Sequence, residues 1–93
     1  MNETDFSTQI VDLFRYLGWK YYHTHDSRRS VAGFPDYVAV KPPRVLFIEL
    51  KKEKGKLSWE QDEWGYLLSK CPGVEYYVWR PSDDVESILK GER

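Results

Sequence analysis

The chain has 93 residues, 41% hydrophobic and 31% charged, with a formal net charge of −1. That length suits one small domain spanning residues 1–93, with a core thin enough that a second subunit would add useful buried area. One cysteine, Cys71, excludes an intramolecular disulfide and a Cys-rich zinc site, and no apolar run reaches membrane-spanning length.

Residues 4–17 carry apolar side chains at Phe6, Ile10, Leu13, Phe14 and Leu17, a helical stripe, with Thr4 as the expected N-cap and Gly18 as the stop. Residues 19–24, WKYYHT, predict an aromatic-rich strand, followed by a polar loop that leaves through Gly33-Phe34-Pro35. Residues 36–40 and 45–51 predict two strands of a hairpin around Pro42-Pro43, each apolar on both faces and therefore central in a sheet. A basic, Gly-containing loop leads to a second helix over 58–70. Ser58 and Gln61 there make an S-x-x-Q capping box. Residues 74–79 predict a fourth strand, and Pro81-Ser82 the start of a short final helix. The order is α-β-β-β-α-β-α, an α/β class with a central mixed sheet flanked by helices. Cys71 is expected to be a buried structural thiol, and Trp59 to pack over the start of the second helix.

The hairpin holds the informative residues. A turn centred on Pro42-Pro43 sets Val40 against Val45, Val38 against Phe47 and Asp36 against Glu49. Directly opposed side chains lie about 4.5–5.5 Å apart at Cβ. Lys51, two residues beyond Glu49, points to the same face. Two carboxylates this close repel, and one would tend to hold a proton. A divalent cation between them removes the conflict, and Mg²⁺, which takes oxygen ligands and keeps several waters, suits such a site.

Charge is distributed to match. Residues 15–56 carry ten Lys/Arg against four Asp/Glu, a net +6, while the flanks are acidic. A basic segment around a carboxylate pair is what a phosphate-backbone substrate requires. Ser27, Arg28 and Arg29 in the loop before Asp36, and Lys54 and Lys56 in the loop after Lys51, are the expected phosphate contacts. His25 is expected to touch DNA near the site. A zinc pair of His23 and His25 lacks a third ligand nearby.

GFPDYVAV (33–40), FIELKKEKGKLSWEQ (47–61) and YYVWRPSD (76–83) together resemble the stand-alone VRR-NUC (virus-type replication-repair nuclease) domains of the PD-(D/E)XK nuclease superfamily. The resemblance covers nearly the whole chain. It implies a restriction-endonuclease-like core and a Mg²⁺- or Mn²⁺-dependent DNA endonuclease. Asp36, Glu49 and the Leu50 backbone carbonyl would hold the metal. Lys51 would orient or deprotonate the attacking water, or steady charge on phosphorus, and Gln61 would contact water or phosphate. The family's usual acidic residue on the first helix has no clear counterpart, and either Glu3 or Gln9 takes that place. The resemblance further implies branched DNA, such as a four-way junction, as substrate, a homodimer, and a bacterial or phage-infected host cytoplasm. The competing expectation is a catalytically degenerate nucleic-acid-binding or assembly subunit.

Overall fold

A computed structural model describes residues 2–25 and 29–91, with the side chain of Glu3 set aside. Its elements are α1 (Glu3–Leu17), β1 (Lys20–His23), β2 (Tyr37–Lys41), β3 (Arg44–Leu50), α2 (Trp59–Ser69), β4 (Glu75–Trp79) and α3 (Val85–Lys90). They form one four-stranded sheet in the order β1-β2-β3-β4. The first three strands are antiparallel and β4 joins β3 in parallel. The expected element order and mixed sheet are those of the structure.

The hairpin register also matches the expectation. Val38 opposes Phe47 and Val40 opposes Val45, with Pro42-Pro43 as the connection between Lys41 and Arg44. The strand alternation then sorts the side chains. Tyr37, Ala39, Leu46, Ile48 and Leu50 are buried beneath Phe6, Ile10 and Phe14 of α1 and Val85 and Leu89 of α3. Phe47 lies on the other face, the α2 face. There Phe34 meets both Phe47 and Trp64 edge-on, at 6.1 and 5.0 Å between ring centroids. Helix α2 approaches closely because Gly65 has no side chain; a Cβ there would lie 2.6 Å from the Tyr76 ring.

Several local expectations are corrected. Asn2, not Thr4, caps α1, accepting from Asp5 N at 2.8 Å. The capping box of α2 forms as expected, with Ser58 and Gln61 bonding reciprocally. Helix α3 starts at Val85 behind an Asp84 cap rather than at Pro81-Ser82. Cys71, two residues after the end of α2, is exposed rather than buried. Trp59 is 72% exposed and does not pack over the helix start. Arg44, one of the basic-segment residues, is engaged in the fold. Its guanidinium bonds both oxygens of Glu75 at 2.7 and 2.8 Å, reaches Leu89 O at 3.2 Å and lies over the Trp19 ring. The Glu75 carboxylate raises the Arg44 pKa further, so this cation is fixed in place.

Candidate active site

The site lies where β2 begins and β3 ends. Asp36 is the residue before β2 and is half-buried. Its backbone is fixed to the β1 side by Thr24 N, which donates to Asp36 O at 2.9 Å. Its side chain turns to β3, where Oδ2 accepts from Leu50 N at 2.8 Å.

The β2–β3 ladder ends at Pro35, whose own carbonyl accepts from Thr24 Oγ1 at 2.6 Å and so is not given to Leu50. Successive residues of a strand present their backbone groups to alternate neighbours. Lys51 N donates to Trp79 O on the β4 side at 3.0 Å, and Leu50 N is turned to the β2 side. The Leu50 carbonyl is turned the same way, and continuing the register would bring Pro35 opposite Leu50. Proline has no N–H to give that carbonyl. The ladder therefore ends here, with the Asp36 side chain taking the Leu50 N–H and the carbonyl beside it left to another partner. A hard cation is such a partner, since it takes carboxylate and carbonyl oxygens together.

Glu49 points to the α2 face and is only 3% exposed. A buried carboxylate needs compensation. Its Oε2 accepts from Gln61 Nε2 at 3.1 Å and lies 4.0 Å from Lys51 Nζ. Gln61 thus bridges two elements: its Oε1 closes the α2 capping box and its Nε2 holds Glu49. The predicted cap and the predicted site contact belong to one side chain.

The site's charge reaches its neighbours. The Tyr76 hydroxyl is pushed up to about 12, by burial first and then by the charges of Glu49, Asp62 and Asp36. The Tyr37 hydroxyl is also raised, mainly by burial, with a bond from Ser7 acting against the shift and Asp36 adding to it. Both phenols keep their protons at neutral pH.

Two cavities flank Asp36. One, about 300 Å³, is lined by His25, Ser30, Phe34 and Gln61 among others, and the second, about 340 Å³, by Thr4, Ser7, Tyr37 and Leu50. His23 and Asp36 line both. Bonds and a shared cavity wall therefore link Asp36, Glu49, Leu50, Lys51 and Gln61, and His25 lines the same cavity as Asp36 and Gln61. Gln9 is not among them; it is exposed and lines a separate hollow with Asp12, Leu13 and Tyr16. The Glu3 side chain, Ser27 and Arg28 lie outside the described residues. Arg29 is exposed in the loop before Asp36. Lys54 and Lys56 are exposed in the loop after β3. Arg80 anchors that loop through Gly55 O at 2.7 Å, and Glu53 anchors it through Ser82 N at 3.0 Å.

Among the described residues, no group of three or more His, Cys, Asp or Glu side chains is arranged to hold a metal. The donor set that fits a divalent cation is two carboxylates, Asp36 and Glu49, plus the Leu50 carbonyl. His23, Thr24, Thr4 and Ser7 are site neighbours not anticipated from the sequence. The signal for His23 was the β1–β2 register, which sets it opposite Tyr37.

The VRR-NUC domain profile matches residues 1–83 of the chain. The chain belongs to the VRR-NUC family of nuclease domains, and its fold is that of the PD-(D/E)XK nucleases. No curated protein sequence matches it. Among solved structures it is similar to Hjc of Archaeoglobus fulgidus, a Holliday junction resolvase from an archaeal hyperthermophile. The likeness has a TM-score of 0.61 and 25% sequence identity, and covers 85% of this chain and 68% of Hjc. No helix among the described residues is long and apolar enough to cross a membrane.

Proposed function

We propose that this chain is a Mg²⁺- or Mn²⁺-dependent endonuclease that hydrolyses phosphodiester bonds in branched DNA, four-way junctions among them, and acts as a cytoplasmic homodimer. One observation carries the reading. Asp36 accepts from the N–H of Leu50, the residue after Glu49; Gln61 and Lys51 lie on the Glu49 carboxylate, and Asp36 and Gln61 line one cavity. Family membership and the likeness to a junction resolvase support DNA as the substrate.

Asp36, Glu49 and the Leu50 carbonyl would hold the cation. When bound, it supplies Lewis-acid stabilisation of charge on the phosphoryl group and lowers the pKa of water. Lys51, at the rim of the site, orients the attacking water and offsets charge developing on phosphorus. Gln61 keeps Glu49 in position and presents its amide to the phosphate. Arg29, Lys54 and Lys56, together with Ser27 and Arg28, the sequence neighbours of Arg29, position the DNA backbone without reading its sequence. Symmetric cutting of a two-fold junction requires two sites, hence two copies.

The test is cleavage of a synthetic four-way junction and a linear duplex of the same sequence, with Mg²⁺, with Mn²⁺ and with chelator. Cutting is expected with either metal, faster on the junction, and none with chelator. Undiminished cutting in chelator would remove the metal from the account, and equal cutting of both DNAs would remove the preference for branches.

A further inference from the structure

The most suggestive residue that the reading above leaves without a role is His23. It is the last residue of β1, directly opposite Tyr37, and so belongs to the α1 face of the sheet. Its ring lies flat on the Tyr37 ring, with centroids 4.5 Å apart and planes 13° from parallel. An exposed histidine at a strand end has many rotamers open to it, and this contact selects one. The selected position walls both cavities beside Asp36. One cavity is walled by Gln61 of α2 and by Ser30, Val31 and Phe34 of the loop before Asp36, the other by Thr4 and Ser7 of α1.

The α1-side cavity has donors of its own. Ser7 Oγ and the Tyr37 hydroxyl are 2.5 Å apart, and either can be the donor. Two hydroxyls carry two hydrogens and only one lies between them. Whichever oxygen donates, one O–H of the pair remains for a ligand. Thr4 adds a third hydroxyl to the same wall. Imidazole and hydroxyl donors around a cavity of about 340 Å³ form a setting for an anionic oxygen ligand. The Asp36 carboxylate would repel an anion there, and a cation held by Asp36 offsets that repulsion.

We propose that the α1-side cavity is a second phosphate subsite, in which His23, with the Ser7–Tyr37 pair, holds a phosphate neighbouring the one that is cut. The inference rests on the nuclease reading given above. In it the DNA backbone crosses the strand ends over Asp36, from the α2-side cavity to the α1-side cavity. His23 and Asp36 are the residues that both cavities share, and the His23 ring N–H donates to a phosphate oxygen. It is a substrate-positioning residue and takes no part in the proton transfers.

The experiment pairs His23→Ala and His23→Gln with synthetic junctions, or plain duplex should the chain cut that, in which single phosphates around the cut are replaced by uncharged methylphosphonates. Single-turnover cleavage and binding are measured for each combination. A hydrogen bond to a charged group is worth roughly tenfold or more. The wild-type chain is expected to bind and cut about tenfold less well when one particular neighbouring phosphate is neutral. His23→Ala should show a similar loss on fully charged DNA and no added loss at that one position. His23→Gln, which retains an N–H donor, should recover part of the loss.

Three results would overturn the subsite. The first is wild-type behaviour of His23→Ala at every position. The second is losses from the mutation and from each neutral linkage that simply multiply. The third is recovery of His23→Ala by excess Mn²⁺, which would make the residue a metal contact. Failure of the nuclease reading looks different: Asp36→Asn would then cut fully charged DNA as the wild-type chain does.

Discussion

Asp36→Asn is expected to lower single-turnover cleavage by on the order of 10³-fold, the loss that follows when several kcal/mol of cation-based stabilisation is removed. The fold should be unchanged. An asparagine oxygen can accept the Leu50 N–H as the carboxylate does at 2.8 Å, so the end of the β2–β3 ladder stays closed. What disappears is the negative charge. Glu49→Gln should cause a loss of the same order, because the amide oxygen can still accept from Gln61, 3.1 Å away in the native site, while its hold on a cation weakens. Groups that hold one ion act as a unit, and effects within such a unit do not add. The double variant should therefore be no slower than the worse single one. DNA binding by each should be retained or tightened, since removing a carboxylate lessens repulsion of phosphate. Losses that multiply in the double variant would mean that the two carboxylates serve separate tasks.

The second large effect is expected at Gly33→Ala. Gly33 has φ +83°, a left-handed conformation that costs an L-residue about 1–2 kcal/mol. A Cβ there would also lie 2.4 Å from the Glu60 carbonyl carbon and 2.6 Å from its oxygen. These are backbone atoms of the first turn of α2, which cannot swing aside as a flexible side chain can. The next residue is Gln61, whose amide holds Glu49. Pushing the loop and the helix apart therefore separates Asp36, which the loop delivers, from Gln61 and Glu49. A misplacement of about 1 Å can cost 10²-fold in rate. Gly33→Ala should lower cleavage by about that factor and stability by about 1–3 kcal/mol, read by single-turnover assay and thermal denaturation. Gly73→Ala is the comparison. Gly73 has a similar φ, +87°, but nothing lies within 4 Å of its Cβ position. It should lose stability alone. Gly33→Ala with native cleavage would show that the loop–helix contact does not set the site.

The part of this legible in the sequence was the part set by short-range rules. The hairpin register followed from one turn and two strands with a period of two, and it placed Val38 against Phe47 as found. The capping box followed from Ser58 and Gln61, three residues apart. The fine placement of Asp36 did not follow. Register alone set it opposite Glu49 as a strand residue. In the structure it stands just before β2, and its side chain accepts from Leu50 N, while the Pro35 carbonyl that a continued ladder would offer to that N–H accepts from Thr24 Oγ1 at 2.6 Å.

Contacts between elements distant in the sequence were not legible at all. Nothing in WKYYHT announces that His23 stacks on Tyr37, which requires the β1–β2 register. The collision that keeps position 33 a glycine needs the docking of α2, as does the fit of Gly65 on Tyr76. Burial misled in a similar way. Residue type alone suggests that Cys71 and Trp59 are packed, yet Trp59, which opens α2, and Cys71, which follows it, are both exposed. Gln9 lines a separate hollow with Asp12, Leu13 and Tyr16, whereas Thr4 and Ser7 of the same helix line the cavity at Asp36.

The most direct test of the joint cation site is crystallographic. A crystal of the wild-type chain soaked in Mn²⁺, with data collected for anomalous scattering, should show a peak within coordination distance of Asp36, Glu49 and the Leu50 carbonyl oxygen together. The same soak of Asp36→Asn should show that peak lost or greatly weakened. A manganese peak held by other residues, or one at full strength in the variant, would contradict the account.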